Sequence, residues 1–376
     1  MVVVAALFWV ALCALVWTHV GYPLFAAVVA RIWPRPVAKR DIEPSVSVVV
    51  AAHNEEMWIA QRLENLRALD YPAERLDIVI ASDASNDRTD ELVESATAGD
   101  PRIRLLRCPR GGKVAAQNRA VRETKGAVIA FSDANARWEP DALHKLVRNF
   151  ADPDVAYVCG RLRLDRASGT NREGVYWRFE LWVRQNESAM GSITAGNGGI
   201  YAVRRSDYVE NGPTVGHDLG LPYQLAQRGR RSVYDPDAVA WEKPSHDLED
   251  EYQRKVRMLA QCWRHVLSGA MLRGGGALYV VQIVSHRLLR YGSGLLHLVL
   301  LGTSVALAGH GLVYDVALGG QGVWLLLALA GRLRLRVPGA ALAYYYLLVT
   351  LATLAGLVRY LRVGVPVIWE KAEGTR

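Results

Sequence analysis

Three polar clusters carry the residue types and the spacing that a catalytic site needs. Each follows a short apolar run, and the clusters are His53-Asn54-Glu55-Glu56, Asp83-Ala84-Ser85-Asn86-Asp87 and Asp133-Ala134-Asn135. The i, i+2 spacing of Asp133 and Asn135 at a strand end directs two oxygens toward one hard cation, and Mg²⁺ or Mn²⁺ commonly completes its coordination with substrate phosphates. A single aspartate at a strand end is more often a helix cap than a ligand, so the prediction depends on the three clusters meeting.

The elements that would bring the clusters together are apolar runs separated by helical stretches. The apolar runs cover residues 46–52, 77–82, 103–108 and 127–134, and the helical stretches end near 69 or cover 88–98 and 113–124. This alternation predicts an α/β fold with a mostly parallel sheet covered by helices. Ligands in such sheets bind beyond the carboxyl ends of the strands, so all three clusters are expected at one edge.

A basic turn precedes the third cluster. It reads Arg110-Gly111-Gly112-Lys113, with Asn118 a little further on. Its glycines permit a tight backbone turn, and its cations suit phosphate or sugar oxygens. The turn lacks the GxxxxGK[ST] spacing, so a P-loop ATPase is not predicted.

The amino-terminal segment is long and apolar enough to cross a membrane. Residues 2–30 contain no formal charge and would reach about 44 Å as a helix, which exceeds the thickness of a hydrocarbon core. The lack of a preceding basic segment and of a small-residue cleavage site favours an anchor over a removable signal peptide. Basic residues follow at Arg31, Arg35, Lys39 and Arg40, so the positive-inside rule places the region after the anchor in the cytoplasm.

A second apolar region extends from about 288 to 361. It contains candidate spans at 291–309, 312–331 and 339–358, and an arginine cluster at 332–336 predicts a cytoplasmic loop between the last two. Four spans in all would leave the basic tail outside, so either one span is interfacial or re-entrant, or the rule fails locally. Before these spans, residues 249–273 predict a basic amphipathic helix on the membrane face, with an ordinary surface helix as the alternative.

The composition excludes several classes of protein. The chain has 376 residues, of which 51% are hydrophobic and 22% charged, so it is neither mainly disordered nor wholly embedded in lipid. Its four cysteines lie far apart without a CxxC pair, which argues against a disulfide scaffold or a structural zinc site. The net charge of +8 suits anionic lipid or a phosphate-bearing substrate, and no nucleic-acid-binding signature accompanies it. No nucleic-acid partner is therefore expected.

Taken in order, the motifs resemble the family 2 glycosyltransferases of the membrane-bound, polysaccharide-synthase-like kind. The matching segments are VSVVVAAHNEE, SDASNDRTDE, GGKVAAQNRA, FSDAN, GNGGIYAVRR, HDLGLP and RKVRMLAQCW. The resemblance implies a GT-A (Rossmann-like) domain, a nucleotide diphosphate sugar donor, expected to be UDP-linked, a Mg²⁺ or Mn²⁺ cofactor and inversion at the anomeric carbon. The expected segments are an anchor at 1–31, a GT-A domain at 44–248, amphipathic interfacial helices at 249–287, transmembrane helices at 288–361 and a tail at 362–376.

The resemblance assigns residues to the donor side of the site. His53, Asn54 and Glu55 would line the nucleotide pocket, with Glu55 reaching the ribose or the base. Asp83 would accept a hydrogen bond from the base, and Lys113 would lie near the donor. All five residues belong to the quoted motifs or directly adjoin them.

The metal site that the resemblance implies rests mainly on Asp133, which stands in the family's DxD-like position. Asp133 is expected to bind both the metal and the donor diphosphate. Its partner in this chain is Asn135, a neutral and weaker oxygen ligand. His246, which precedes the amphipathic helix, is a further candidate ligand, as a distal histidine is in some GT-A enzymes.

An inverting transfer needs a carboxylate that removes the proton of the acceptor hydroxyl, and the resemblance assigns this role to Asp218. An N-cap for a helix beginning near Leu221 is the alternative for this aspartate. The family usually has two acids here, so His217 is a departure that would alter base tuning or acceptor choice. The turn Gly196-Asn197-Gly198-Gly199 is expected to face the acceptor, because glycine permits close backbone approach.

The predicted interfacial helix departs from the QxxRW motif of processive synthases. Its best match is Arg254-Lys255-Val256-Arg257-Met258, which retains Arg257, expected to act as a catalytic residue that steadies the diphosphate. Without the motif's tryptophan, addition of one or a few sugars is favoured over long polymerisation. Trp263 either substitutes for that tryptophan or anchors the interfacial helix.

The predicted function is transfer of a sugar to a lipid-linked or cell-envelope glycan acceptor. The expected location is a bacterial inner or plasma membrane with the catalytic domain in the cytoplasm, and the expected partners are the nucleotide-sugar donor, the acceptor and membrane lipids. Two alternatives stay open: a processive polysaccharide synthase that translocates its product, and an inactive membrane scaffold of an envelope assembly complex. The presence of Asp83, Asp133, Asp218 and Arg257 argues against the scaffold.

Overall fold

The computed structural model describes residues 1–164, 172–243 and 248–366. The chain enters through a long apolar helix made of Val2–Val16 (α1), a π-helical turn at Trp17–Gly21 and Tyr22–Ile32 (α2). An eight-stranded sheet follows. Its strands are Val46–Ala52 (β1), Leu76–Asp83 (β2), Ile103–Cys108 (β3), Val128–Asp133 (β4), Arg137–Trp138 (β5), Val155–Leu164 (β6), Tyr201–Arg204 (β7) and Arg231–Glu242 (β8).

The sheet has the strand order β3-β2-β1-β4-β7-β6-β8-β5. Its first four strands are parallel, and their bounds agree within one residue with the four apolar runs of the sequence. β7 pairs antiparallel with both β4 and β6, so the second half makes the sheet mixed. The predicted α/β class is confirmed. The local patterns did not indicate that β7 is inserted antiparallel between β4 and β6.

Helices cover both faces of the sheet. They are Ile59–Arg67 (α3), Thr89–Thr97 (α4), Lys113–Glu123 (α5), Ala142–Val147 (α6), Arg172–Met190 (α7), His217–Gln227 (α8) and Leu248–Leu267 (α9). Along β1, Val48 and Val50 belong to one buried cluster with α3 and α6, whereas Val49 belongs to another with α5 and α8. This alternation is what a strand buried on both faces requires, and it explains why β1 is apolar throughout.

The carboxy-terminal helices are Gly276–Gln282 (α10), Leu289–Tyr291 (α11), Ser293–Ala306 (α12), Leu312–Arg332 (α13) and Ala340–Val363 (α14). Among the described residues, three helices are long and apolar enough to cross a membrane: Val2–Ile32, α13 and α14. The span predicted at 291–309 needs correction, since α12 alone reaches only about 21 Å. α12 is long and apolar enough to cross a membrane only together with Gly276–Tyr291, from which it is bent by 64°. This bend fits a broken span or a re-entrant segment, and a re-entrant segment is one of the alternatives that the charge pattern left open.

The predicted amphipathic helix is α9. It ends before residue 273 because Gly269 adopts a left-handed backbone conformation with φ of 64°. Its apolar face is covered by α14: the indole nitrogen of Trp263 donates to the carbonyl oxygen of Thr353 at 2.8 Å, and Gly356 packs directly on Leu259. α9 is therefore an internal connector between the sheet domain and the apolar helices rather than an ordinary surface helix.

Candidate active site

The register of the sheet brings the three polar clusters to one edge. Ala52 of β1 pairs with Ser82 of β2, and Ala51 pairs with Asp133 of β4. His53, Asp83 and Asp133 therefore follow or end neighbouring parallel strands at the same level. The shared edge predicted from the sequence is confirmed.

The loops after β1 and β2 are joined by hydrogen bonds. Asn54, which has φ of 54°, accepts from the backbone nitrogen of Asn86 at 2.9 Å and donates from its own backbone nitrogen to Ser85 Oγ at 3.1 Å. The backbone nitrogen of Glu55 donates to Thr89 Oγ1 at 2.7 Å, and its side chain is buried. The predicted nucleotide-pocket residues thus form one cross-linked rim, in which His53 is half-buried beside β1.

Asp83 holds the glycine turn that leads into α5. Its carboxylate is fully buried and accepts from the backbone nitrogens of Gly111 at 2.7 Å and Gly112 at 3.0 Å. The guanidinium of Arg110 contacts the same carboxylate. Position 112 requires glycine because its φ of 86° is a backbone conformation that other residues rarely adopt. This arrangement fixes the position of Lys113, the first residue of α5. The predicted hydrogen bond between Asp83 and the base of the donor stays a prediction.

Lys113 lies at the centre of the charges in the site. Its ammonium forms an ion pair with Asp133. Burial disfavours the charged ammonium, but Asp133, Asp218 and Glu242 together hold the pKa of Lys113 above its usual value. A Cβ atom at Gly198 would lie 3.2 Å from Lys113 Nζ and 3.3 Å from an Asp133 oxygen, so the glycine turn adjoins the predicted donor residues.

Asn135, the second residue of the predicted metal position, contacts Glu242. Asn135 Nδ2 donates to Glu242 Oε1 at 3.1 Å, whereas Asn135 Oδ1 is buried and has no hydrogen-bond partner among the described residues. Burial and the Asp133 carboxylate raise the pKa of Glu242. Sequence reasoning missed Glu242, although its position directly after the apolar run 238–241 is the same signal that identified Asp83 and Asp133.

The oxygen ligands present suit a hard cation such as Mg²⁺ or Mn²⁺. Asp133 supplies a carboxylate, and the unpartnered amide oxygen of Asn135 is the atom that a cation would satisfy. Within the described ranges, no group of three His, Cys, Asp or Glu side chains is arranged to hold a metal, so donor phosphates would have to complete the coordination. The candidate ligand His246 lies outside the described residues.

Asp218 lies in the first turn of α8 and is half-buried. The helix begins at His217 after Gly216, and within the described chain no side chain caps it. The alternative of an N-cap for a helix near Leu221 is therefore wrong. The backbone oxygen of Asp218 accepts from the nitrogen of Gly196 at 2.7 Å, which ties the glycine turn to the helix that carries the predicted base.

His217 and Asn197, both predicted on the acceptor side, are buried. The ring nitrogens of His217 lie 3.0 Å from the Tyr201 hydroxyl and 3.2 Å from the Tyr208 hydroxyl. Burial, together with the charge of Lys113, lowers the pKa of His217 to about 3, so the ring is neutral. Asn197 donates to the carbonyl of Gly160 at 2.8 Å. The structure places both residues in the support of the site and not on an open acceptor surface.

Arg257 lies half-buried on α9. Trp263, for which the sequence left two roles open, is buried against α14 through its bond to Thr353. Its ring holds α9 on α14 and is not exposed, as an anchor at a membrane interface would be. Arg257 and Trp263 thus lie on one helix, α9, which connects the sheet domain to the apolar helices.

Comparison with known proteins identifies the domain. Residues 47–212 match the family described as "Glycosyl transferase family 2". A beta-monoglucosyldiacylglycerol synthase from Synechocystis sp. is 30% identical over 196 residues, covering 48% of this chain and 40% of that protein. A poly-beta-1,6-N-acetyl-D-glucosamine synthase from Staphylococcus aureus is 24% identical over 231 residues, covering 59% of this chain and 56% of that protein. The chain thus spans about half the length of these relatives.

A solved structure covers nearly the whole chain. It is the mannosyltransferase PcManGT from Pyrobaculum calidifontis, described in complex with GDP-Man and Mn2+. The likeness has a TM-score of 0.73 at 23% sequence identity and covers 95% of this chain and 99% of that chain. The GT-A type of fold is therefore confirmed, as is the resemblance to family 2 glycosyltransferases that the motifs indicated.

Proposed function

We propose that the family 2 glycosyltransferase domain of this chain transfers one or a few sugars from a nucleotide diphosphate sugar to a lipid-linked or cell-envelope glycan acceptor. The observation that carries the proposal is the position of Lys113 and its partner Asp133. They lie between the rim formed after β1 and β2 and the turn that is hydrogen-bonded to Asp218. A donor in that position has its phosphates at Lys113 and its sugar toward Asp218.

The mechanism follows from these positions. Asp218 accepts the proton of the acceptor hydroxyl while the acceptor oxygen forms a bond to the anomeric carbon. The bond from that carbon to the diphosphate oxygen breaks on the opposite face, so the configuration is inverted, and Lys113 stabilises the charge that remains on the phosphates. A divalent cation at Asp133 and Asn135 would supply Lewis-acid stabilisation of the same leaving group.

The surroundings of Asp218 support an acceptor that arrives from the membrane side. Ala195 precedes the glycine turn and Leu219 follows the predicted base, and both belong to a buried cluster with Val256 and Leu259 of α9 and Ala352 of α14. The residue that follows the predicted base therefore packs in one hydrophobic cluster with an apolar helix long enough to cross a membrane. Relatives of the domain are named for glycolipid and polysaccharide synthesis, which agrees with such an acceptor.

The location we propose is a bacterial inner membrane with the sheet domain in the cytoplasm. Val2–Ile32 is apolar enough to cross, and basic residues follow it directly. The positive-inside rule then places the sheet domain on the cytoplasmic side, where nucleotide sugars are made. A UDP-linked donor is our first candidate, and a GDP-linked donor is tested beside it.

The test is nucleotide release by the detergent-purified chain from a panel of UDP- and GDP-sugars, with Mg²⁺, Mn²⁺ or a chelator. We expect one donor to turn over only with metal. Asp218→Asn should lower turnover by about 10²- to 10⁴-fold, since that is what general-base help contributes, while donor binding persists. Asp133→Ala should lose both binding and turnover. Failure of every donor to bind or turn over, even with membrane lipids restored, would support the scaffold alternative instead.

Product size separates the proposed function from the processive synthase. A transferase that adds one or a few units gives a product whose mass exceeds that of the acceptor by one or a few sugars, whatever the ratio of donor to acceptor. A processive synthase gives long chains while most acceptor stays unused. Mass spectrometry of the lipid extract at low donor concentration distinguishes these outcomes.

A further inference from the structure

Asp133 and Asn135 together offer a bound cation only one negative charge, because Asn135 is neutral. Asp133 is paired with Lys113, so these two charges offset each other. A divalent cation held by these residues alone would face no net negative charge from the protein. Either the donor phosphates supply all of it, or another acid of the chain contributes.

Glu242 is the acid that the fold brings to this position. It ends β8, whose Trp241 and Ala240 pair antiparallel with Arg137 and Trp138 of β5. Because β5 begins two residues after Asn135, this register carries residue 242 alongside the segment that contains the amide. The contact between Asn135 Nδ2 and Glu242 Oε1 at 3.1 Å is the result.

The contact also fixes the direction of the amide. A carboxylate accepts hydrogen bonds, so Glu242 holds the NH₂ end of Asn135 and turns its oxygen the other way. That oxygen, Oδ1, is buried without a hydrogen-bond partner among the described residues. A buried acceptor in this state is satisfied by a ligand that donates a hydrogen bond or by a cation, and a divalent cation beside Asp133 would satisfy it.

We propose that Glu242 is a positioning residue that orients Asn135 as a neutral cation ligand and supplies the negative charge that this motif lacks. The inference rests on the proposed function, because that function places a cation at Asp133. Outer carboxylates that orient ligating side chains commonly change metal affinity by about 10- to 100-fold when they are removed. The acid absent from position 135 is thus provided by the end of β8.

The experiment measures Mn²⁺ binding to the full chain in detergent by electron paramagnetic resonance of free Mn²⁺, with UDP and, separately, with GDP. Glu242→Gln should weaken Mn²⁺ binding by about 10-fold or more, because a glutamine carries no charge and lets the Asn135 amide turn over. Adding Asn135→Asp to that variant should return the affinity to within about threefold of the original, since the charge is restored at the ligand itself. Asp237→Asn, an exposed acid on the same strand paired with Arg148, is the matched control and should bind as the parent does.

The possible outcomes are distinct from those of the donor panel. Parental Mn²⁺ affinity in Glu242→Gln overturns the inference, as does a loss that Asn135→Asp does not recover in a variant whose thermal midpoint equals that of the parent. Absence of Mn²⁺ binding by the parent chain with either nucleotide also overturns it. If the expected affinities are found while no donor sugar is turned over, the cation site stands and the proposed function fails. Metal-dependent turnover with parental Mn²⁺ affinity in Glu242→Gln leaves the function intact and removes the role of Glu242.

Discussion

Lys113 connects the donor and acceptor sides at the scale of single residues. Its ammonium pairs with Asp133 and lies in the fields of Asp218 and Glu242. One ammonium among three acids disfavours a nucleotide diphosphate that arrives alone, because like charges repel at short range in a partly buried site. The composition of the site therefore favours a donor that binds together with a divalent cation.

Substitution of Gly198 tests whether the glycine turn controls the position of the donor. In Gly198→Ala, the new Cβ would lie closer to Lys113 Nζ and Asp133 than ordinary van der Waals contact, so the ion pair must shift. We expect the KM for the donor to rise about tenfold, equivalent to about 1.4 kcal/mol, with the thermal midpoint unchanged. Gly212→Ala is the control, since apart from its chain neighbours no heavy atom of the described residues lies within 4 Å of its Cβ position. Equal donor KM values for the two variants would contradict the prediction.

His217 gives the chain an acid-sensitive component of stability. Its pKa is lowered from 6.5 to about 3 by burial and by Lys113, so between these values the unfolded chain binds a proton that the folded chain excludes. Stability from this residue is complete above pH 6.5 and declines as the pH falls toward 3, by about 2 kcal/mol at pH 5. His217→Gln should show a shallower decline of the unfolding midpoint between pH 7.5 and 5. The decline should not vanish, since the pKa of His265 is also lowered, to about 4. An unchanged slope would show that His217 does not contribute.

The sequence predicted the shared edge of the site but not all of its members. Asp83 and Asp133 were found because each ends a buried parallel strand, which is a local signal. Glu242 also follows an apolar run, but its contact with Asn135, 107 residues away, forms only through the β5–β8 register, which no local pattern indicates. His217 was assigned to the acceptor side because nothing in the local pattern shows that Tyr201 and Tyr208 enclose it.

At the scale of elements, a buried polar cluster joins the sheet domain to the apolar helices. Glu187 of α7 accepts a hydrogen bond from the Tyr22 hydroxyl of α2 at 2.6 Å and contacts His286 Nδ1, after α10, at 2.7 Å. Its second oxygen accepts from Thr194 Oγ1 at 3.0 Å. One carboxylate therefore connects three segments that are far apart in the sequence. Such a cluster fixes how the helices sit on the domain, because each polar group depends on the others for its partner.

Glu187→Ala should loosen this junction. It removes the acceptor shared by three buried groups, and leaving a buried hydrogen-bonding group without its partner typically costs about 1–3 kcal/mol. We expect a clear drop in the thermal midpoint of the detergent-purified chain. Gln185→Ala, at an exposed position on the same helix, should change stability by no more than about 0.5 kcal/mol. Matching midpoints for Glu187→Ala and the parent would show that the cluster does not stabilise the junction.

The elements themselves differ in how well local patterns indicate them. The four parallel strands were predicted within one residue, since each is a short apolar run between turn signals. The bend of 64° before α12 was not predicted, because hydropathy measures length and apolarity but not direction. α9 was predicted as amphipathic, but its local pattern does not show that α14 covers its apolar face, which the packing of Gly356 on Leu259 and the bond from Trp263 to Thr353 establish.

On the scale of the whole molecule, charge and hydropathy together predict an orientation. α13 has 21 residues, about 31 Å as a helix, which matches a hydrocarbon core of about 30 Å. Its carboxy-terminal end is followed by an arginine cluster at 332–336, whereas the loop before it contains His310 and no Lys or Arg. If α13 crosses, these two loops face opposite sides, with the arginine loop on the side of the sheet domain.

Cysteine labelling in intact bacterial cells tests this orientation. We expect His310→Cys to react with a membrane-impermeant maleimide in intact cells, and Arg334→Cys to react only after permeabilisation, because the positive-inside rule predicts that the arginine loop stays in the cytoplasm. The parent chain is the control: Cys108, Cys159 and Cys262 are buried, and Cys13 lies within the first apolar helix. Equal labelling of both variants in intact cells would mean that α13 does not cross, and the reverse pattern would place the sheet domain outside. The second result would also separate the site from the nucleotide sugars on which the proposed function depends. The labelling experiment therefore tests the proposed sugar transfer together with the predicted orientation.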